Sequence, residues 1–230
     1  MSLYERLNLT RPTRNPQVPI WERINLTRPE KLRCKGCNER IQQVWEFCPG
    51  CGQTLIEKNS ELRRCIWVDI SGMEIKAENR EPINNILADA FSKLYGAFRS
   101  VNVFLTSEPP SNEWGEFTHV YIFADDQPVD YLGIATFKLA SVTNRAIVRI
   151  DQVFYASYNA NLSVNQLSNL IANAIAHEIG HTLGLDHSAL PTDVMHDGLD
   201  HIVHSFMPPS FHASQINSMN NAIRKHFLMN

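Results

Sequence analysis

The 230-residue chain contains no apolar run of membrane-spanning length, and its mean hydropathy is −0.24, which excludes a helical membrane anchor within it. Its first residues lack the basic region, apolar core and small-residue cleavage site of a secretory signal, which predicts an intracellular, cytoplasmic protein. It also lacks scattered cysteines. Four of its five lie between Cys34 and Cys51 and only Cys65 stands apart, which excludes a disulfide framework and points to a metal site instead. Charge of one sign is not in excess either, with 21 Lys+Arg against 24 Asp+Glu and a net charge of −3, so net charge alone gives no sign of a polyanionic partner. The balance is uneven, however. Residues 1–64 carry 12 basic and 7 acidic side chains, and residues 65–230 carry 9 and 17. The shift predicts a domain boundary near residue 60.

What is present begins with a short duplication. Leu3-Tyr-Glu-Arg-Leu-Asn-Leu-Thr-Arg-Pro12 recurs as Ile20-Trp-Glu-Arg-Ile-Asn-Leu-Thr-Arg-Pro29. Two copies interrupted by Pro16 and Pro19 cannot stack into a repeat fold, so residues 1–30 read as a flexible arm carrying a duplicated linear motif. Over residues 31–58, Cys34-Lys-Gly-Cys37 and Cys48-Pro-Gly-Cys51 each place two thiolates on a tight turn. Together they make a closed four-sulfur set like that of a zinc ribbon, a structural site whose metal supplies folding energy. Zinc ribbons bind nucleic acid, protein or neither, and the sequence is compatible with each.

From residue 62 to the end the pattern is α+β. Strands are predicted over 65–70, 101–106, 119–123, 133–139 and 146–154, with a loop over 108–116. A helix is predicted over 81–95, with Pro82 in its first turn and Gly96 as its stop. A second has Ser163 and Gln166 as a capping box, Leu162 and Leu167 as a hydrophobic staple, and Gly184 as its end. A last helix is predicted over 214–227, capped by Ser214.

The second helix carries the chemistry. Residues 177–187 read His-Glu-Ile-Gly-His-Thr-Leu-Gly-Leu-Asp-His. Histidines four apart project from one helix face and can take two corners of a tetrahedron. Gly184 breaks the helix and lets His187 return as a third nitrogen ligand. Three neutral ligands leave one position for water and a strongly Lewis-acidic zinc, which brings that water's pKa toward neutrality. Glu178, adjacent to the first ligand, is placed to accept its proton.

This run, followed by Met195 in Asp193-Val194-Met195, resembles the metzincin signature with its methionine turn. The spacing and the flanking Ser188-Ala189-Leu190-Pro191 resemble the matrixin branch, the matrix metalloproteinases and their microbial relatives. The resemblance covers roughly residues 65–230. It implies a mixed, mostly parallel twisted sheet with an antiparallel edge strand, an active-site helix, a methionine turn and a C-terminal helix, behind a small zinc ribbon. The implied activity is a zinc metalloendopeptidase acting on peptides or proteins, with Glu178 as general base. One catalytic zinc on His177, His181 and His187 and one structural zinc on Cys34, Cys37, Cys48 and Cys51 are expected. By the same resemblance, Leu132, Gly133, Ile134 and Ala135 form the edge strand that holds an extended substrate.

The chain departs from the family in several places. It has no cysteine-switch motif, and Cys65 reads as a small buried residue. Ile134 and Arg149 stand near positions where animal matrixins carry histidines for a second structural zinc, so neither that zinc nor calcium is predicted. No Pro-x-Tyr wall follows Met195. His196, His201, His204 and His212 read mostly as surface loop residues, one of which could stabilise a tetrahedral intermediate. A catalytically silent scaffold whose ribbon binds protein or nucleic acid is the competing interpretation, although a scaffold has no use for Glu178. Autoproteolysis of the arm is a third.

Overall fold

Alternating burial builds the sheet that carries the centre of the domain. In the computed structural model, which describes residues 9–10, 62–75, 80–110, 115–125, 127, 129–198 and 200–229, the strands are β1 (Leu9–Thr10), β2 (Arg64–Gly72), β3 (Glu74–Ile75), β4 (Val103–Thr106), β5 (Phe117–Phe123), β6 (Gly133–Ala135) and β7 (Arg145–Arg149). Cys34, Cys37, Cys48 and Cys51, and the arm apart from Leu9 and Thr10, lie outside the described residues. Strand β5 turns Thr118, Val120 and Ile122 inward while Phe117, His119, Tyr121 and Phe123 take the other face, the period-two pattern of a strand covered mainly on one side. Five strands run in the order β4-β2-β5-β7-β6. All neighbours are parallel except β6, which lies antiparallel on β7 with Ile134 opposite Ile147. The sheet is thus mixed, mostly parallel, with an antiparallel edge. Separately, β1, from the first copy of the repeated motif, pairs antiparallel with β3.

The helices are α1 (Arg80–Phe98), α2 (Ile150–Asn159), α3 (Val164–Thr182), α4 (His201–Phe206) and α5 (Ala213–Met229). Ile83, Leu87, Ala90, Phe91, Leu94 and Phe98 bury one face of α1. The helix runs through Gly96, which stands in open space, because burial of Phe98 outweighs glycine's cost of about 1 kcal/mol. No described helix is long and apolar enough to cross a membrane.

Three predicted elements change. The strand expected over 146–154 stops at Arg149, and α2 begins at Ile150. Ile150, Val153, Phe154, Ala156 and Ser157 are buried at helical spacing. The Ile/Val content reads as strand, and α2 has no side-chain cap to announce it, so packing decides. The strand expected over 133–139 ends at Ala135. Beyond it, Ala140 and Thr143 donate their N–H groups to the carbonyls of Gly184 and Thr182, at 3.0 and 2.7 Å, so unsatisfied carbonyls at the end of α3 draw this segment off the sheet. Finally, α5 starts at Ala213 rather than after a Ser214 cap. The His212 N–H instead donates to Gln215 Oε1 at 2.8 Å.

Candidate metal centre and cleft

Helix α3 starts where its capping box predicts. Gln166 N–H donates to Ser163 Oγ at 3.4 Å, and Ser163 N–H donates to Gln166 Oε1 at 3.0 Å. From Ser168 to Thr182 every residue is buried. A helix enclosed on all sides holds its side chains to single positions. Two glycines adapt it to its surroundings. Gly184 has φ +86°, and a Cβ there would lie 2.6 Å from the Ser141 backbone nitrogen, so it allows both the turn and the loop's close approach. At Gly180 an added Cβ would collide with Met195 Sδ. Met195 is fully buried and reaches the helix one residue before His181.

The three histidines converge. His181 Nε2 lies 3.0 Å from Nε2 of His177 and 3.0 Å from Nε2 of His187, and all three ligand atoms fall within 4.8 Å of one another. Tetrahedral zinc with Zn–N bonds of about 2.0–2.1 Å needs edges of about 3.3–3.4 Å, so the donor set fits that ion. The tautomers agree with this fit. His177 Nδ1–H donates to Val194 O at 2.8 Å and His181 Nδ1–H to Leu185 O at 2.9 Å, which leaves the Nε2 lone pairs facing inward. Burial pulls His177 down to about 4 and also lowers His181, so both are neutral at physiological pH, as ligands must be. Without a cation these lone pairs would face each other at repulsive range. On the exposed side, Asp197 Oδ1 lies 3.7 Å from His187 Nδ1.

Glu178 follows His177 directly and is itself buried, which pushes its carboxyl up to about 8. The physical cause is desolvation of the charged form, which a nearby cation opposes. Strand β6 lies against it: a Cβ on Gly133 would come within 2.5 Å of Glu178 Oε1. Leu132, Gly133, Ile134 and Ala135 line one cleft of about 930 Å³ together with His177, Glu178, His181 and His187. Phe137 sets its ring edge-on to His181, with centroids 5.5 Å apart. Among the described residues these histidines are the one candidate metal cluster.

Several contributors escape sequence reasoning. Asp193 accepts the Met195 N–H at 2.8 Å and is held by Gln215 Nε2 at 3.0 and 3.1 Å. The Asp-x-Met spacing of an Asx turn is the one signal that could have marked it. Tyr155 on α2 and Ile202 on α4 line the cleft, from elements the sequence did not announce. Of the loop histidines, His201 lines the cleft on α4, and His204 is not on the surface. It is buried and bridges Asp193 O at 2.8 Å and Asp200 O at 2.9 Å. Cys65 is buried as predicted.

A buried helix carrying two histidines, a third after a glycine turn, a methionine beneath and an antiparallel edge strand above define a metzincin-like zinc metallopeptidase. The segment 112–217, which contains every one of these features, matches the family model Peptidase_M10, Matrixin. Solved structures with similar chains include archaemetzincin from Methanopyrus kandleri, at 13% identity and TM-score 0.46, covering 74% of this chain and 99% of that one. A zinc-dependent peptidase from Methanocorpusculum labreanum matches at 15% identity and TM-score 0.45, covering 68% and 100%. Metalloproteinase-II from Bacteroides fragilis matches at 13% identity and TM-score 0.39, covering 88% and 60%. No curated protein sequence matches the chain.

Proposed function

We propose that the chain is a zinc-dependent endopeptidase, with His177, His181 and His187 as metal ligands and Glu178 as general base. The observation that carries this reading is the convergence of three inward-facing Nε2 atoms beside a buried carboxyl under an edge strand. A zinc ion held there supplies Lewis acidity that activates water and polarises a carbonyl. The protein's own groups do the rest. Ile134 and its neighbours on β6 offer the unpaired edge on which an extended peptide adds as a strand, so main-chain hydrogen bonds set its register whatever its side chains. Glu178 then takes a proton from the attacking water on its carboxylate and returns it to the leaving amine. Met195 supports the histidines from beneath. Cys34, Cys37, Cys48 and Cys51, by their spacing, hold a second, structural zinc in a ribbon over residues 31–58, between the arm of residues 1–30 and the catalytic domain of residues 62–230. The ribbon serves as a folding or docking module.

Glu178→Gln tests the assignment. Hydrolysis of a mixed peptide library should fall by about 10²–10⁴-fold while metal content stays at the wild-type level. Two zinc ions per chain are expected by elemental analysis, and His181→Ala should remove one of them. Equal inertness of fully loaded wild type and variant would end the peptidase reading.

A further inference from the structure

We propose that the cleft selects peptides bearing Lys or Arg close to the scissile bond, an inference that rests on the peptidase reading and names its substrate class. The lining contains three exposed carboxylates besides Glu178, namely Asp130, Asp186 and Asp197, and not one lysine or arginine. Among the described residues none of the three pairs with Lys or Arg; Asp186 Oδ1 accepts the His187 N–H at 2.8 Å, and Asp197 faces the His187 ring. These two flank the metal ligands and offset the charge of a bound cation. Asp130 is separate. It lies on the approach to β6, three residues before Gly133, and among the described residues no hydrogen bond or ion pair engages it.

Aromatic surface accompanies this carboxylate. Tyr131 follows it in the chain, and Tyr155, exposed on α2, lines the same cleft. A lysine or arginine stem lies well on such rings, a guanidinium stacks on them, and the charged head then meets Asp130. An acidic substrate side chain placed beside Asp130 would meet like charge. The net charge of the segment that carries the cleft has the same sign, since residues 65–230 carry 17 acidic against 9 basic side chains. It therefore draws cationic peptides to the cleft and repels anionic ones.

The test uses the zinc-loaded full chain and matched peptides that differ by Lys, Gln or Glu at each position around the cleaved bond. The expected result is a Lys preference over Glu of about tenfold in kcat/KM at one or more positions, shrinking at 0.5 M salt (about 4 Å screening length). Asp130→Asn is expected to reduce the Lys-to-Gln ratio by about 2–5-fold, the range of an exposed ion pair. The same peptides, fluorescently labelled, are titrated onto zinc-loaded Glu178→Gln, so recognition is read without turnover. Tighter binding of the Lys peptide that weakens in Asp130→Asn supports the proposal. A flat or reversed charge series in binding overturns it, whether or not wild type hydrolyses. Absence of hydrolysis by the loaded wild type, with the binding preference intact, overturns the peptidase reading alone.

Discussion

At the scale of single residues, the centre depends on small side chains as much as on ligands. Gly180 leaves the space that Met195 Sδ fills, so Gly180→Ala forces overpacking at the helix that carries two ligands. A loss of about 1–3 kcal/mol is expected, read as a lower urea midpoint and weaker zinc retention. Gly96→Ala is the control: it adds a methyl in open space within α1 and should stabilise by roughly 0.5–1 kcal/mol. Cys65 offers another residue-scale check. Burial pushes its thiol up to about 12, so almost no thiolate exists at pH 8. Peptide mapping after iodoacetamide treatment should find Cys65 unmodified in the native protein and alkylated in urea.

At the scale of elements, the rim of the cleft is held by a buried ion pair. Arg149 ends β7 and Asp151 lies in the first turn of α2. Arg149 donates to Asp151 at 3.0 and 2.8 Å, and its Nη2 also donates to the carbonyls of Asp125 and Gln127. Its backbone N–H donates to Leu132 O at 2.7 Å. One side chain thereby fastens the loop that leads into β6, near a position where the matrixin resemblance would place a zinc-binding histidine that this chain lacks. Arg149→Met strands the Asp151 carboxylate, and a loss of about 3–5 kcal/mol is expected. Hydrogen exchange should rise over 125–135 before it rises in α3, and adding Asp151→Leu should recover part of the loss. The other wall is held by asparagines: Asn169 Nδ2 donates to Ser205 O, and Asn173 Nδ2 to His204 O and Met207 O. These bonds tie α4 to α3, the helix that carries the candidate histidines, where the Pro-x-Tyr wall is missing.

At the scale of the whole molecule, acid sensitivity follows from carboxylates that bind several elements together. Burial raises Asp69, but hydrogen bonds from His119 and from the Ser71 N–H outweigh it and leave the group below its ordinary value. Burial likewise raises Asp193, and Gln215 with the Met195 N–H brings it below. A carboxylate depressed in the native state contributes stability above its unfolded pKa of about 3.9 and loses it as pH falls through the native value. The Asp193 contribution to the urea midpoint, read as the difference between wild type and Asp193→Asn with a chelator present, should therefore be level between pH 7 and 5 and fall below about pH 4. Unfolding should be cooperative across β2, β5 and α5, because Arg64 at the start of β2 donates to Thr118 and to Glu116 O on the approach to β5 and meets His226 of α5.

The sequence by itself determined which side chains make up the candidate centre. Histidine spacing on a capped helix, a glycine stop and an adjacent glutamate are local facts, set by 3.6 residues per turn and by backbone sterics. The capping box at Ser163 and the turn at Gly184 were legible on those grounds, whereas the Met195 turn and the mostly parallel sheet with its antiparallel edge were expected only from the resemblance to metzincins. Tertiary structure decided the cleft. Whether 150–159 became strand or helix, where β6 ended, and which loop met the end of α3 depended on long-range burial and on carbonyls seeking donors. Local pattern carries no record of such partners. The same holds for the charge of the cleft, because Asp130 stands far from Asp186 and Asp197 in the chain and joins their lining only once the sheet and helices have packed.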